Sequence, residues 1–464
     1  MRSTDALAEA APAVYWLDRP DRPRPGEPLR TDLEADLVVV GAGYTGLWAA
    51  LQALERDPGR NVVVIDAGAV GEQASGRNGG FCSASLTHGV ANGVDRFPGE
   101  MPRLQELGRR NLDEIEAAVH RYGIACGFER TGNLTVAPAP WLVEPLREQM
   151  ELERAHGEDV EWLDRDALSG QIVSPTYHAG TWLRHTEAMV DPARLAWGLA
   201  AAVRSLGGTI HEHTQMTRLE RAGAGMVVVT PSARLRCRAA VLGTNAFTSP
   251  VRAIRRRVAP VYDHVLVTEP LDDAQLASIG WANRQGVADT TNLFHYSRLT
   301  DDRRILWGGY DAVYHWRNRI DPSLEQRDAT HRLLAEQFLT SYPQLEGLRF
   351  SHRWGGVIDT STRFTVSFGT AFDRRVAYAV GYTGLGVGAS RFGAEVCLDL
   401  LDRPDSELLG LHLVRTSPLP FPPEPLRWLG ITATRRALAR ADRRQGRRGP
   451  WLRLLDAVGL GFDS

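Results

Sequence analysis

Residues 36–66, DLVVVGAGYTGLWAALQALERDPGRNVVVID, decide the fold. Residues 37–40 are a short β-branched run, the pattern of a strand buried on both faces. Gly41 ends the run with a tight turn, Gly43 lets the backbone approach a pyrophosphate, and Gly46 lets the next helix pack close to the strand. That helix, with Tyr44 and Thr45 in its first turn, aims unpaired N–H groups and its positive dipole end at the phosphates, so no basic side chain is needed there. Residues 62–65 form the second strand. Asp66, followed by Ala67, falls where a carboxylate accepts hydrogen bonds from an adenosine ribose, and an acid there favours a free 2′-hydroxyl. A bare GxGxxG means little, but strand, helix, second strand and acid together predict a Rossmann-like dinucleotide site.

Two further glycine turns narrow the choice of dinucleotide. Gly76-Arg77-Asn78-Gly79-Gly80 follows the second strand, where nicotinamide dehydrogenases usually have no such turn. Near the other end, residues 376–380 read as a strand, then Gly381-Tyr382-Thr383-Gly384-Leu385-Gly386-Val387, then a helix to about residue 401. Gly384 and Gly386 would admit backbone N–H groups to a flavin's N1 and C2 carbonyl, where negative charge gathers on reduction.

Taken in order, VVVGAGYTGLWAAL, ASGRNGGF, RWGGVIDTSTRF and VAYAVGYTGLGVGAS resemble the FAD-dependent amine and amino acid oxidases of the D-amino-acid oxidase superfamily, over roughly residues 34–405. ASGRNGG, PVYDHVLVTEPL and RWGGVIDTSTRF look most like the γ-glutamylputrescine oxidase branch. The resemblance implies an α/β protein with a Rossmann-like FAD-binding domain, discontinuous in sequence, and a mixed-sheet α+β substrate domain. It implies oxidation of a C–N bond to an imine, with oxygen as acceptor and hydrogen peroxide as product. Carried onto this chain, the cofactor residues are those of the first turn with Ser75, Arg77, Asn78, Gly79, Gly80, Met216, Thr244, Gly356, Gly381, Thr383, Gly384, Leu385, Gly386 and Val387. Relatives attach flavin through His or Cys, but Cys82 and His88 fit no such pattern, so FAD is expected without a covalent link.

The expected organisation is interleaved. Residues 1–33 form a Pro- and Arg-rich arm anchored at Tyr15 and Trp16; 34–90, 160–258 and 350–405 form the FAD domain; 91–159 and 259–349 form the substrate domain; and 406–464 form a C-terminal arm. Asp191 is the expected cap, and Pro192 the first turn, of a helix returning to the FAD domain.

Composition excludes several alternatives. With 54 basic against 56 acidic residues, electrostatics make no case for nucleic acid. No run approaches a membrane span, and Cys82, Cys126, Cys237 and Cys397 lack metal spacing, so a cytoplasmic protein with neither metal nor disulfide is expected. All 54 basic residues are arginine, which rules out pyridoxal phosphate aldimines and Walker-type loops. In the sarcosine oxidase branch one lysine beside the flavin assists oxygen and another, after the C-terminal glycine turn, binds carboxylate; the latter position is Gly388 here. A flavin dehydrogenase passing electrons to a quinone or carrier protein therefore stands as the alternative, and a non-catalytic assembly subunit as a third reading that the intact glycine turns oppose.

Substrate is addressed by a second departure. The W-x-G-x-R pattern of D-amino-acid and glycine oxidases, overlaid on Trp354-Gly355-Gly356-Val357, puts Ile358 where the carboxylate-binding arginine should be. The expected substrate is an amine with no carboxylate beside the reacting carbon: a polyamine derivative such as a γ-glutamylated amine, or a secondary amine. Tyr262, His264, His295, Tyr296 and Trp307, on alternating strands, are the candidate aromatic cage; His264 or His295 is the candidate base, and Arg353 a candidate ligand for a remote carboxylate. Residues 426–448 carry eight arginines against Asp442, a basic helix expected to dock its Leu429, Ala437 and Leu438 face on the body, with peripheral membrane association as the other reading.

Overall fold

The computed structural model describes residues 3–247, 249–309 and 311–457, so the expected C-terminal arm is seen up to residue 457 and residues 458–464 lie outside the description. The first strand and the helix after it run Leu33–Val40 and Tyr44–Arg56, and the second strand is Val62–Ile65. Leu37, Val39, Val62 and Val64 pack beneath that helix, whereas Val38, Val40, Val63 and Ile65 enter a second core on the opposite face. Burial on both sides is what an unbroken apolar strand requires.

Six strands complete the main path of this sheet in the order Ser367–Ala371, Val376–Val380, Arg234–Leu242, Leu33–Val40, Val62–Ile65 and Thr209–His211. All neighbours are parallel except the first pair, a hairpin. The ribbon Arg218–Ala222 and Gly225–Val229 extends Arg234–Leu242 in antiparallel fashion. Helices Tyr44–Arg56, Pro192–Ser205 and Gly386–Asp402 cover one face. Asp191 caps Pro192–Ser205 by accepting from the Arg194 N–H at 3.0 Å.

The second sheet runs Val313–Tyr314, Ala259–Thr268, Ile305–Gly309, His295–Leu299, Gly286–Asp289, Asn133–Ala137, Ala179–Leu183 and Val160–Leu163, with Phe350–Thr360 paired to Ala259–Thr268. Only Gly286–Asp289 and Asn133–Ala137 run parallel, so the sheet is mixed. Helix Asp328–Ser341 backs it, burying Leu334, Ala335 and Phe338 against Leu266 and Trp307.

Sheet membership moves three of the expected boundaries. Ala179–Leu183 hydrogen-bonds to Asn133–Ala137 on one side and to Val160–Leu163 on the other, and Phe350–Thr360 to Ala259–Thr268, so all three belong to the second sheet rather than the FAD domain. Conversely, helix Met101–Arg121 buries Leu104, Leu107, Leu112 and Ile115 in the core of the first domain, not the second. Partner strands, not sequence adjacency, decide such boundaries. The N-terminal arm does lie over the body: Trp16 is buried and its indole donates to the Asn78 carbonyl at 2.9 Å, while Tyr15 donates to Asp302 at 2.5 Å.

Candidate active site

A cavity of about 1370 Å³ runs between the two sheets. Ligand pockets for drug-sized molecules span about 300–1,000 Å³, so this one has room for a dinucleotide and a substrate together. One end is formed by Gly41, Gly43, Tyr44, Thr45, Asp66, Ala67, Met216 and Thr244. Gly41 sits at φ +109°, a conformation a side chain would strain, and a Cβ on Gly46 would come 1.8 Å from the Gly41 carbonyl, so the helix can seat on the strand only with glycine there. Gly43 caps the helix without a side-chain hydrogen bond, leaving its N-terminus facing the cavity. Tyr44 and Thr45 spend their hydroxyls inward, on the Pro192 carbonyl and on the Tyr382 hydroxyl.

Asp66 accepts from the Ala42 N–H at 2.6 Å with one oxygen and from the Gly68 N–H at 2.8 Å with the other. Burial holds its carboxyl above the ordinary value. Each oxygen keeps a lone pair, which is what a vicinal diol needs as an acceptor.

The Gly-rich turn after the second strand is a short helix, Ala74–Arg77, closed by Asn78, whose side chain donates to the Ala74 carbonyl and accepts from the Gly80 N–H at 2.8 Å. Ser75, Arg77, Asn78 and Gly79 line the cavity, and Ser75 Oγ accepts from the Tyr44 N–H. Arg77 joins the domains: it pairs with Glu325 at 2.6 Å and donates to the Glu72 carbonyl.

Thr383, Gly384, Leu385, Gly386 and Val387 line the cavity from the other side, where helix Gly386–Asp402 begins with no side-chain cap. Asp359 fastens this turn, accepting from the Gly381 N–H at 2.6 Å and the Tyr382 N–H at 3.2 Å, and burial pushes its carboxyl up to about 7. Gly46, Gly80 and Gly381 do not line the cavity; each supports a turn that does.

On the substrate side the expected cage is not assembled, because a strand turns successive side chains to opposite faces. Asp263, Val265 and Tyr296 face the cavity, as do Gly356 and Ile358 on the neighbouring strand. Tyr262 borders the cavity, but its hydroxyl is engaged by the Asp321 backbone. His264 lies on the far face, 0 % exposed, 5.3 Å from His331, and burial lowers its imidazole to about 3. Trp307 also faces away and stacks on His295 at 4.7 Å. Although burial works against it, Asp289, 2.6 Å from His295, holds that imidazole above its ordinary value. Arg353 pairs with Asp328 at 2.8 Å outside the cavity.

Three features the sequence reading missed stand out. Tyr296 donates to Asp263 at 2.5 Å inside the cavity, and burial pushes the Asp263 carboxyl up to about 6; the acid lay in a strand pattern that flagged only aromatics. Glu187 and His88 also line the cavity. Finally, the C-terminal arm forms the outer wall. Helix Leu426–Asp442 brings Arg427, Leu429, Ile431, Arg435 and Leu438 to the mouth, joined by Trp451 and Leu455. Arg435 pairs with Asp311, Asp442 accepts from the Asn292 side chain at 2.5 Å, and Leu438 and Ala441 bury against Leu293. Leu438 thus docks as expected, whereas Leu429 is 51 % exposed.

Among the described residues no helix is long and apolar enough to cross a membrane, no cluster of His, Cys, Asp and Glu could hold a metal ion, and the four cysteines are free thiols.

Residues 36–400 match the family model of FAD dependent oxidoreductases. The chain is 31% identical over 399 residues to the gamma-glutamylputrescine oxidoreductase of Escherichia coli (strain K12), covering 85% of this chain and 89% of that one. It is 25% identical over 246 residues to the 4-methylaminobutanoate oxidase (formaldehyde-forming) of Paenarthrobacter nicotinovorans, covering 52% of this chain and 28% of that one. Among solved structures, glycine oxidase from Geobacillus kaustophilus has the same fold, with a TM-score of 0.67 and 18% identity over 82% of this chain and 99% of that one. L-proline dehydrogenase from P. horikoshii likewise has a TM-score of 0.67, with 17% identity over 82% and 96%. The glycine cradle, the two-sheet architecture and the matched span agree: the chain belongs to the FAD dependent oxidoreductases of the D-amino-acid oxidase family.

Proposed function

We propose that this protein oxidises the C–N bond of an amine to the imine, that the amine carries a remote carboxylate as a γ-glutamylated amine does, and that oxygen is the acceptor, giving hydrogen peroxide. The observation that carries the reading is the placement of charge along the cavity. Ile358, which the W-x-G-x-R overlay sets in place of the clamping arginine, lines the cavity opposite Val261 in the strand register. At the mouth, Arg427 donates to two neutral oxygens, of Asn318 and Pro422, and has no carboxylate partner among the described residues. A carboxylate beside the reacting carbon would meet isoleucine; one several bonds away can meet a guanidinium. The name of the Escherichia coli relative specifies a molecule of this shape.

FAD, once bound, supplies the acceptor for the hydride leaving the amine's carbon. The chain's own residues do the rest. The first turn would hold the pyrophosphate and Asp66 the adenosine ribose, and the turn fastened by Asp359 would offer N–H groups to the flavin. Val261, Val265 and Ile358 exclude water from the reacting carbon. The reading keeps the flavin non-covalent: Cys82 does not line the cavity and burial raises its thiol, and His88, which does line it, fits no attachment pattern; acid precipitation should leave all flavin in the supernatant. The four free cysteines suit a reducing, cytoplasmic setting.

The test is anaerobic bleaching of the purified flavoprotein with γ-glutamylputrescine, putrescine, N-methyl amino acids and D-amino acids, followed by air. Bleaching by the γ-glutamylated amine and fast recolouring with peroxide support the reading; equal bleaching by simple D-amino acids refutes the substrate class. Slow recolouring favours the dehydrogenase alternative. That alternative draws support from the chain's lack of lysine, which leaves no lysine beside the flavin to assist oxygen; at Gly388 a Cβ would come 2.0 Å from the Ser83 carbonyl, so the position that binds carboxylate through lysine in sarcosine oxidases admits no side chain here.

A further inference from the structure

Glu187 opens the three-residue strand Glu187–Met189, paired antiparallel to Phe81–Ser83 and directly opposite Ser83. Its backbone is fixed from the other side too, where the Gly132 N–H donates to its carbonyl at 3.1 Å. Its side chain lines the main cavity and also a second one of about 270 Å³. The two cavities share Asn133, Ala288, Phe294 and Leu385 around this carboxyl. Among the described residues its side chain has neither a hydrogen bond nor an ion pair.

Every other acid near it is engaged. Asp263 accepts from Tyr296, and Asp289 is paired with His295. Across the smaller cavity Glu153 accepts from Gln149, and Glu158 from Gln105, with Arg109 at 3.3 Å. Two further titratable groups lie nearby, Cys82 on the neighbouring strand and His88 in the shared wall; burial holds the thiol protonated and the imidazole neutral. A buried carboxyl left without a partner is poorly solvated, and a cation placed against it relieves that cost.

We propose that Glu187 is the group that meets the substrate's ammonium and takes its proton. This rests on the C–N oxidation proposed above, which requires a neutral amine. In the step, one N–H bond breaks, its electron pair stays on nitrogen, and an O–H bond forms on the Glu187 carboxylate; nothing is oxidised or reduced. With the amine in the main cavity, the carboxyl's other border, on the smaller cavity, gives the proton a way out that does not cross the substrate. The same placement orients the reacting carbon relative to the Asn133 and Phe294 side of the wall.

Burial pushes the free carboxyl up to about 8, so below that pH the empty site is protonated. Binding an ammonium ion then expels one proton, and affinity rises as the pH rises toward 8.

The test uses the FAD-loaded protein and tert-butylamine, which has no hydrogen on its α-carbon and cannot be oxidised, with tert-butanol as its neutral counterpart. Binding is read from the flavin absorbance. In the parent protein tert-butylamine should bind more tightly as the pH is raised from 6 to 8. Glu187→Gln should keep its FAD, weaken that binding tenfold or more, flatten its pH dependence and leave tert-butanol unaffected. Unchanged tert-butylamine binding in Glu187→Gln, or loss of the pH dependence in Asp263→Asn but not in Glu187→Gln, overturns the proposal. Should the Gln variant lose its FAD, calorimetry on the parent protein in buffers of different ionisation enthalpy decides: about one proton released per amine bound at pH 7 supports the proposal and none refutes it. Because the probe is never oxidised, failure of the C–N oxidation reading would show separately, as no bleaching by any amine.

Discussion

Gly388 is the third residue of helix Gly386–Asp402, whose first turn borders the cavity. Replacing it with alanine would set a Cβ 2.0 Å from the Ser83 carbonyl oxygen and 3.1 Å from its carbon, both backbone atoms. Relief requires the start of the helix to retreat by roughly 1.4 Å, because ordinary contact begins near 3.4 Å. The buried bond from the Asn111 side chain to the Gly388 carbonyl, 2.9 Å long, resists that movement. Overpacking of this kind costs about 1–3 kcal/mol, an apparent Tm roughly 1–3 °C lower for the apoprotein. Displacing the helix start also weakens what its dipole offers to a flavin's negative end, about 0.3–2 kcal/mol, or roughly 2- to 30-fold in FAD affinity. The assay is a melt of apoprotein and FAD-loaded protein, with FAD retention measured after gel filtration. An alanine variant that melts like the parent and retains FAD equally would refute the close packing of helix on strand. Gly388→Lys should fare worse and gain no oxygen reactivity.

Asp359 holds its proton to about 7 in the fold against 3.8 when free, so the folded state binds more protons than the unfolded state over that window. Apoprotein stability should therefore fall as the pH rises from about 4 to 7, by at most roughly 4 kcal/mol at about 1.4 kcal/mol per pH unit, and Asp359→Asn should flatten that slope in urea melts. Ile358→Arg should abolish turnover of γ-glutamylated amines while introducing measurable binding of simple amino acids, seen as flavin spectral shifts. Arg427→Ala should raise KM for the γ-glutamylated amine tenfold or more with kcat and FAD content nearly unchanged; a change in kcat alone would contradict a carboxylate contact. Deletion from Pro418 onward should leave FAD binding intact and broaden the range of amines oxidised. Vesicle binding that disappears with the same deletion would instead support a membrane role for the arginines.

The first domain was legible because its signals are local. The turn at Gly41, Gly43 and Gly46, the strand Val62–Ile65, the strand Val376–Val380 and the Asp191 cap each announce themselves within a few residues. The second sheet was legible only in part, since period two reveals a strand but not which of its faces meets the cavity. His264 and Val265 are neighbours in sequence, yet one packs on His331 and the other lines the site. Domain boundaries failed for a related reason: that Val160–Leu163 pairs with Ala179–Leu183 is a long-range fact with no local trace. Glu187 carried no motif at all. Its distinction is the absence of a partner, which exists only after folding.

The C-terminal arm has a consequence for how such a protein can change over generations. The matched family span ends at residue 400, whereas Arg427, Leu429, Arg435 and Leu455 come after it. The glycine turns and the outer wall of the cavity are therefore written in separate stretches of the gene. Substitutions, insertions or exchange of the arm can retune which amine is accepted while the glycine turns stay untouched. A lineage can thus explore new substrates at its tail without risking the cofactor on which all of them depend.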